Sequence, residues 1–225
     1  MLTAGNDRVP QAEAALETLC RTYWGPIYAY IRQRGYPEAD AQDLTQEFFA
    51  WVLKRNWLGV ADPQRGRFRC FLQVSLNRFL ANAWDKSQAQ KRGGGRVLFL
   101  SSAEFENRCD WEPVDHLTPE QYYEWQWAMT LLDRAIARLG DEYAAMGKAR
   151  LFEELKPCLL GERTEQPYAT LALKLGLTEG SVKVAAYRLR QRYRELLREE
   201  IANTLANPDE AEDELRHLFE VLARK

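Results

Sequence analysis

Between Gln166 and Arg198 a short apolar helix, a glycine-centred turn and a longer basic helix follow one another without a break. That order predicts a helix-turn-helix. Leu171, Ala172 and Leu175 can face inward on the first helix; Gly176 suits the left-handed residue that ends it, and Leu177 plugs the turn. Thr178 caps the second helix, in which Val182, Ala186, Leu189, Tyr193 and Leu196 recur at helical spacing as a buried stripe. The other face carries Lys183, Tyr187, Arg188, Arg190 and Arg194. In a DNA-binding module of this kind the N-terminal turns of the second helix enter the major groove. Glu179, Ser181, Lys183 and Tyr187 then meet base edges or phosphates, while Arg188, Arg190, Arg192 and Arg194 suit the backbone. The plain alternative is a helical hairpin with a solvated basic face; turn chemistry, capping and charge together favour DNA.

The 225 residues give room for one large or two small domains, each able to bury a core. No apolar run approaches the roughly 20 residues that cross a bilayer, and the N-terminus has neither a basic start nor an apolar signal core. A cytoplasmic protein without membrane contact is therefore expected. Cys20, Cys70, Cys109 and Cys158 are scattered without a C-x-x-C pair, and the histidines are His116 and His217. That pattern predicts neither a zinc site nor a disulfide framework, and no metal or cofactor is expected.

A net charge of −2 hides a segregation along the chain. From Gln64 to Arg96 the ionised residues are Arg65, Arg67, Arg69, Arg78, Lys86, Lys91, Arg92 and Arg96 against Asp85 alone. From Glu104 to Glu124 the balance reverses, with Arg108 the single cation, and the tail from Glu199 is rich in carboxylates. Two basic regions separated by an acidic stretch suit a protein that grips nucleic acid at two places.

Helical patterns fill the rest of the chain. Ala14 to Arg34 reads as one helix, with Gly25-Pro26 predicting a kink or interruption and Gly35 the end. Pro37 opens the next, whose buried stripe is Leu44, Phe48 and Trp51 or Val52; its opposite face presents Asp40, Asp43 and Glu47, with Gln46 beside them. A loop follows from about Arg55 to Arg67, then a helix from Phe68 to Trp84. Gly93-Gly94-Gly95 breaks that helix and acts as a hinge rather than a phosphate loop, lacking the preceding strand and the lysine. The mixed, acidic stretch 97–117 is expected to be a linker. Thr118-Pro119-Glu120-Gln121 is a capping box that opens a helix to about Leu139, and a second should span Tyr143 to Leu155. Asn207-Pro208-Asp209-Glu210 caps a last helix carrying Leu215, Leu218, Phe219 and Leu222. The expectation is an all-α chain of two small helical domains, 1–96 and 118–200, followed by an acidic helical extension, 201–225.

With Asp43-Leu44-Thr45-Gln46-Glu47 in the first domain and the helix-turn-helix in the second, the chain resembles the bacterial RNA polymerase sigma factors of the small extracytoplasmic-function type. The resemblance covers most of the chain. It implies that Asp43, Gln46 and Glu47, with Asp40 beside them, dock on the clamp coiled coil of core polymerase. A carboxylate and amide stripe is suited to steering a basic partner helix. It implies further that the stretch from Arg65-Gly66-Arg67-Phe68 to Lys91-Arg92 opens promoter DNA at the −10 element and holds the displaced strand, a task that needs cations and stacking surfaces. Arg65, Arg67, Arg69, Arg78, Asn82, Lys86, Lys91 and Arg92 are the candidates there, while Phe68, Phe71 and Phe79 are expected in the core.

In the second domain, Thr178-Glu179-Gly180-Ser181-Val182-Lys183 looks like the family's recognition-helix start. The resemblance assigns the −35 element to Thr178, Glu179, Ser181, Lys183, Tyr187, Arg188 and Arg190, and the polymerase flap to this domain as partner. Many members follow the lysine with Ser-Arg, where this chain has Val184-Ala185. Valine or alanine can touch a thymine methyl but cannot form a bidentate pair with guanine. An anti-sigma factor is a further partner that the resemblance admits; a small-molecule substrate is not expected. No Ser/His/Asp grouping, phosphate-cradling glycine loop or metal-spaced set is visible, so the expected function is promoter selection and melting, not catalysis. Two other readings remain: a free-standing helix-turn-helix regulator, and a sigma mimic that has lost melting, against which the retained basic run from Gln64 to Arg96 argues.

Overall fold

The computed structural model describes residues 8–54, 67–90, 117–159, 168–205 and 207–224, without the side chains of 8–19, 84–90 and 208. The expected loop, glycine hinge and linker lie outside these residues, apart from Arg67 and Leu117. Among the described residues the fold is all-helical, as expected. Its helices are α1 (Arg8–Gln33), α2 (Glu38–Lys54), α3 (Phe68–Gln90), α4 (Pro119–Ala145), α5 (Ala149–Leu155), α6 (Tyr168–Leu175), α7 (Glu179–Ala202) and α8 (Ala211–Ala223). None is long and apolar enough to cross a membrane. The chain divides into two compact units. One comprises Met1–Thr130, Thr204–Asn207 and His217–Lys225, and the other Leu131–Asn203 and Pro208–Arg216.

In the first unit, α1 continues through Pro26, where the sequence predicts a kink or break. A proline inside a helix costs about 3 kcal/mol. Ile27, Tyr30 and Ile31 just beyond it are fully buried, and that burial offsets the loss. The buried face of α2 is Ala41, Thr45, Phe48, Phe49 and Val52 rather than one centred on Leu44. Leu44 and Trp51 are half-buried. Thr45 can occupy the core because its hydroxyl donates to the Ala41 carbonyl at 2.6 Å. Aromatic edges tie the three helices: Phe48 meets Phe79 at 5.6 Å, Tyr23 meets Phe68 at 5.6 Å, and Trp24 stacks on Phe49 at 5.7 Å. Phe79 is buried as expected, whereas Phe68 and Phe71 are half-buried.

A polar cluster fastens the start of α4 within this unit. The Tyr30 hydroxyl lies 2.6 Å from Asn77 Oδ1 and 2.9 Å from Glu120 Oε1, and accepts from Arg34 at 2.6 Å. Burial pushes the Tyr30 phenol above its ordinary pKa. Deeper in, Arg69 is 4 % exposed, donates to Glu124 at 2.8 Å and stacks its guanidinium 5.3 Å from the Trp127 ring. His217 and Arg224 also approach Glu124, each at 3.5 Å. One carboxylate thus gathers Arg69 of α3, His217 of α8 and Arg224 just beyond that helix.

In the second unit, α4 runs past Leu139 to Ala145, and the next helix starts at Ala149 rather than Tyr143. The glycine at the predicted stop has another use. A Cβ on Gly140 would stand 3.1 Å from the Phe152 ring, so its lack of a side chain lets α5 approach. The actual stop is Gly147 at φ +69°, where Gly147 N–H donates to Ala144 and Lys148 N–H to Tyr143 across the helix end. Leu131, Ala135, Leu139, Leu155, Val182, Ala186, Leu189 and Leu196 form the fully buried core. Glu200 of α7 is 3 % exposed and accepts from two α4 guanidiniums, Arg134 and Arg138, at 2.7 Å each. On the part of α8 that belongs to the first unit, Leu218 is buried together with Val221, whereas Phe219 of the expected apolar set is exposed.

Burial separates two arginines of the same helix. Replacing Arg69 by Met leaves Glu124 without its closest cation and should lower stability by about 3 kcal/mol. Arg78→Met should stay within about 0.5 kcal/mol of the wild type. Urea unfolding checks both; equal effects would contradict the structural role given to Arg69.

Candidate nucleic-acid interface

The segment α6–α7 is built by its turn. Gly176, at φ +65°, donates to Leu173 at 3.4 Å, and Leu177 N–H reaches back to the Ala172 carbonyl at 3.0 Å. These bonds satisfy the end of α6 and require a left-handed residue that glycine supplies without strain. Thr178 then caps α7 from an extended backbone, accepting from Ser181 N–H at 3.2 Å. Leu171 and Ala172 are buried and Leu175 half-buried. Leu177 does not plug the turn; it is 43 % exposed, because its N–H rather than its side chain closes the motif. Tyr193, expected in the buried stripe, is half-buried, yet burial still pushes its phenol up to about 12.

The basic residues of α7 separate into two sets. Arg190 does not point freely outward: its Nε donates to the Cys158 carbonyl at 3.3 Å and its Nη2 to the Tyr168 hydroxyl at 3.4 Å. Arg192 grips Glu142 with two bonds, 2.9 Å and 2.7 Å, and also reaches Glu195 at 2.9 Å. The hydrogen bond from Arg192 draws the Glu142 carboxyl below its ordinary pKa. Both arginines are thus engaged within the fold. Arg188 and Arg194 are exposed, and among the described residues neither has a hydrogen bond or ion pair. Lys183 is exposed but its ammonium sits 2.7 Å from Glu179, whose hydrogen bond raises its pKa. Thr178, Glu179, Ser181 and Tyr187 are exposed at the same end of α7.

On α2, Asp40, Asp43 and Glu47 are exposed on the side away from Ala41, Thr45 and Phe48, with Gln46 half-buried beside them. The carboxylates form one solvent-facing stripe. On α3, Arg78 and Asn82 are exposed along a line that includes Val74, while Arg69 belongs to the core. Arg67 is half-buried at the helix start, where its carbonyl accepts from Cys70 and Phe71 N–H groups. Arg65, Lys91 and Arg92 and the side chain of Lys86 lie outside the described residues. Of the basic run's candidates, the structure thus brings Arg78 and Asn82 together on an exposed face and places Arg69 in the core.

Two exposed features that are not charged stand among these side chains. Val184 and Tyr187 stand out from α7, and Gln191 donates to the Tyr187 hydroxyl at 2.9 Å. Val74 stands out from α3 beside Arg78. The signal available was position: Val184 and Gln191 are seven residues apart, on the side of the helix opposite Val182 and Ala186. No family model, curated protein or solved structure matches the chain.

If the two sets of arginines differ as described, their removal should separate in stability. Arg190→Ala and Arg192→Ala should each lower unfolding free energy by about 1 kcal/mol, the usual worth of a side-chain hydrogen-bond set at this exposure. Arg188→Ala and Arg194→Ala should leave it within about 0.5 kcal/mol. Thermal and urea unfolding of the four variants give the measurement; a destabilised Arg188→Ala would show that this guanidinium is structural.

Proposed function

We propose that this chain is a promoter-specificity subunit of bacterial RNA polymerase, a sigma factor of the extracytoplasmic-function type. In this reading α6 and α7 are a helix-turn-helix that holds the upstream promoter element. The surface of α3 around Arg78 and Asn82 meets the strand displaced on melting, and the α2 stripe docks on the clamp coiled coil of core polymerase. The observation that carries the reading is the outward side of α7. Behind a glycine turn and a threonine cap, a helix with a fully buried inner stripe exposes Arg188 and Arg194 without intramolecular acidic partners among the described residues. Cations left available at such a surface suit phosphates, which supply position and much of the affinity.

Support for a partner protein comes from α2. Asp40, Asp43 and Glu47 are exposed, make no ion pair among the described residues, and back onto an aromatic core that fixes their helix. An acidic stripe on a rigid helix favours a basic partner by steering and by excluding acidic ones. The chemistry asked of the chain is binding: it brings polymerase to DNA and stabilises open strands, while the bond-making belongs to the polymerase.

The test mixes the purified chain with core polymerase and a pool of promoter fragments and scores run-off transcripts. Core-dependent initiation from a subset of fragments is expected. Strong sequence-specific binding by the chain alone, with no core-dependent initiation, would instead make it a free-standing regulator. The double substitution Asp43→Arg with Gln46→Ala should abolish association with core polymerase while leaving the unfolding midpoint and the full chain's weak binding to duplex DNA unchanged. Loss of all three together would mean that the stripe is structural.

A further inference from the structure

Helix α7 turns its least charged line directly away from the core. Val182, Ala186 and Leu189 are fully buried and mark the inward side. At about 100° per residue, Val184 and Tyr187 fall on the opposite side, and they are 50 % and 61 % exposed. Gln191 continues the line, with its amide occupied by the Tyr187 hydroxyl at 2.9 Å. Cations stand beside this ridge rather than on it. Lys183, the one nearest the N-terminal end, is held by Glu179 at 2.7 Å.

A helix inserted N-terminal end first presents the middle of its outward side to the base edges and its flanks to the two phosphate backbones. Guanine is read there by an arginine or lysine that donates to O6 and N7 together, whereas thymine offers a 5-methyl group that an apolar side chain can cover. Val184 has only methyl groups to offer on the middle of that outward side. Its rotamer is restricted by branching at Cβ, so little side-chain freedom is lost on contact.

Resting on the reading of α7 as a recognition helix, we propose that Val184 is a specificity-determining residue that packs on the 5-methyl group of a thymine in the upstream promoter element. The helix then selects a T·A pair at that position, and Arg188 and Arg194 hold the flanking phosphates. Covering one methyl group corresponds to about fourfold in affinity.

The experiment uses the full chain with core polymerase and fragments whose upstream segment is randomised. The fragments are prepared in two forms that differ only in that segment: with thymine, or with uracil in its place. Bound fragments are sequenced. Thymine should be enriched at one position, and uracil there should weaken retention about fourfold. Val184→Ser, at an exposed site, should bring the thymine-to-uracil ratio close to one without lowering the unfolding midpoint. Enrichment of guanine at that position, or a ratio near one for the wild type at every enriched position, would overturn the thymine assignment and leave α7 as a DNA-binding helix. Absence of any enrichment in the upstream segment would overturn the recognition-helix reading and this inference with it.

Discussion

The direction in which α7 faces depends on a buried carboxylate. Glu200 is 3 % exposed and carries its charge into the second unit only because Arg134 and Arg138, one turn apart on α4, each donate to one of its oxygens at 2.7 Å. Burying a carboxylate without such partners costs several kcal/mol, so the helix has few alternative rotations that keep the charge satisfied. Apolar packing of Val182, Ala186, Leu189 and Leu196 would tolerate small rotations of α7 against its neighbours. The two-armed ion pair adds a polar restraint to that packing. Together they set which side of the helix is inward, and therefore which side is left exposed.

The same logic governs the first unit through Glu124. Arg69 of α3, His217 of α8 and Arg224 just after it approach this carboxylate, and Arg69 also lies over the Trp127 ring. In both units, intramolecular carboxylates consume part of the positive charge that the sequence displays. Among the described residues, Arg188 and Arg194 on α7 and Arg78 on α3 are exposed cations that remain outside these pairs. On the proposed function this remainder is the nucleic-acid surface. A chain with net charge −2 can then still grip DNA, because attraction to phosphate is decided locally within a screening length of about 8–10 Å.

The sequence carried the helical class, the Gly176 turn, the Thr178 cap and the inner stripe of α7, because each is written in residues close together in the chain. Gly140 and Gly147 show where local reading fails. Both are glycines near a helix end, yet one serves close approach to Phe152 and the other a positive φ, and only the position of Phe152 tells them apart. Arg69 and Arg78 show the same limit for charge. They share a helix and a residue type, but the partner that buries Arg69 lies 55 residues further along, outside any periodic signal. Leu44 and Thr45 differ by one position, and hydropathy favours the leucine for the core; the hydroxyl bond to Ala41 allows the threonine instead. For the candidate interface, exposure of α2's carboxylates followed from their spacing, whereas the bonds that hold Arg190 and Arg192 depend on the carbonyl of Cys158 and the carboxylate of Glu142, outside any local signal.

The central claim is that cations paired within the fold are scaffold and those left unpaired are the DNA surface. Its most direct measurement is the salt dependence of binding to duplex DNA for the wild type, Arg188→Ala and Arg192→Ala, under conditions where all three are folded. The account predicts that Arg188→Ala reduces the slope of log K against log salt by about one unit, while Arg192→Ala leaves it unchanged. An unchanged slope for Arg188→Ala, together with a reduced slope for Arg192→Ala, would contradict it.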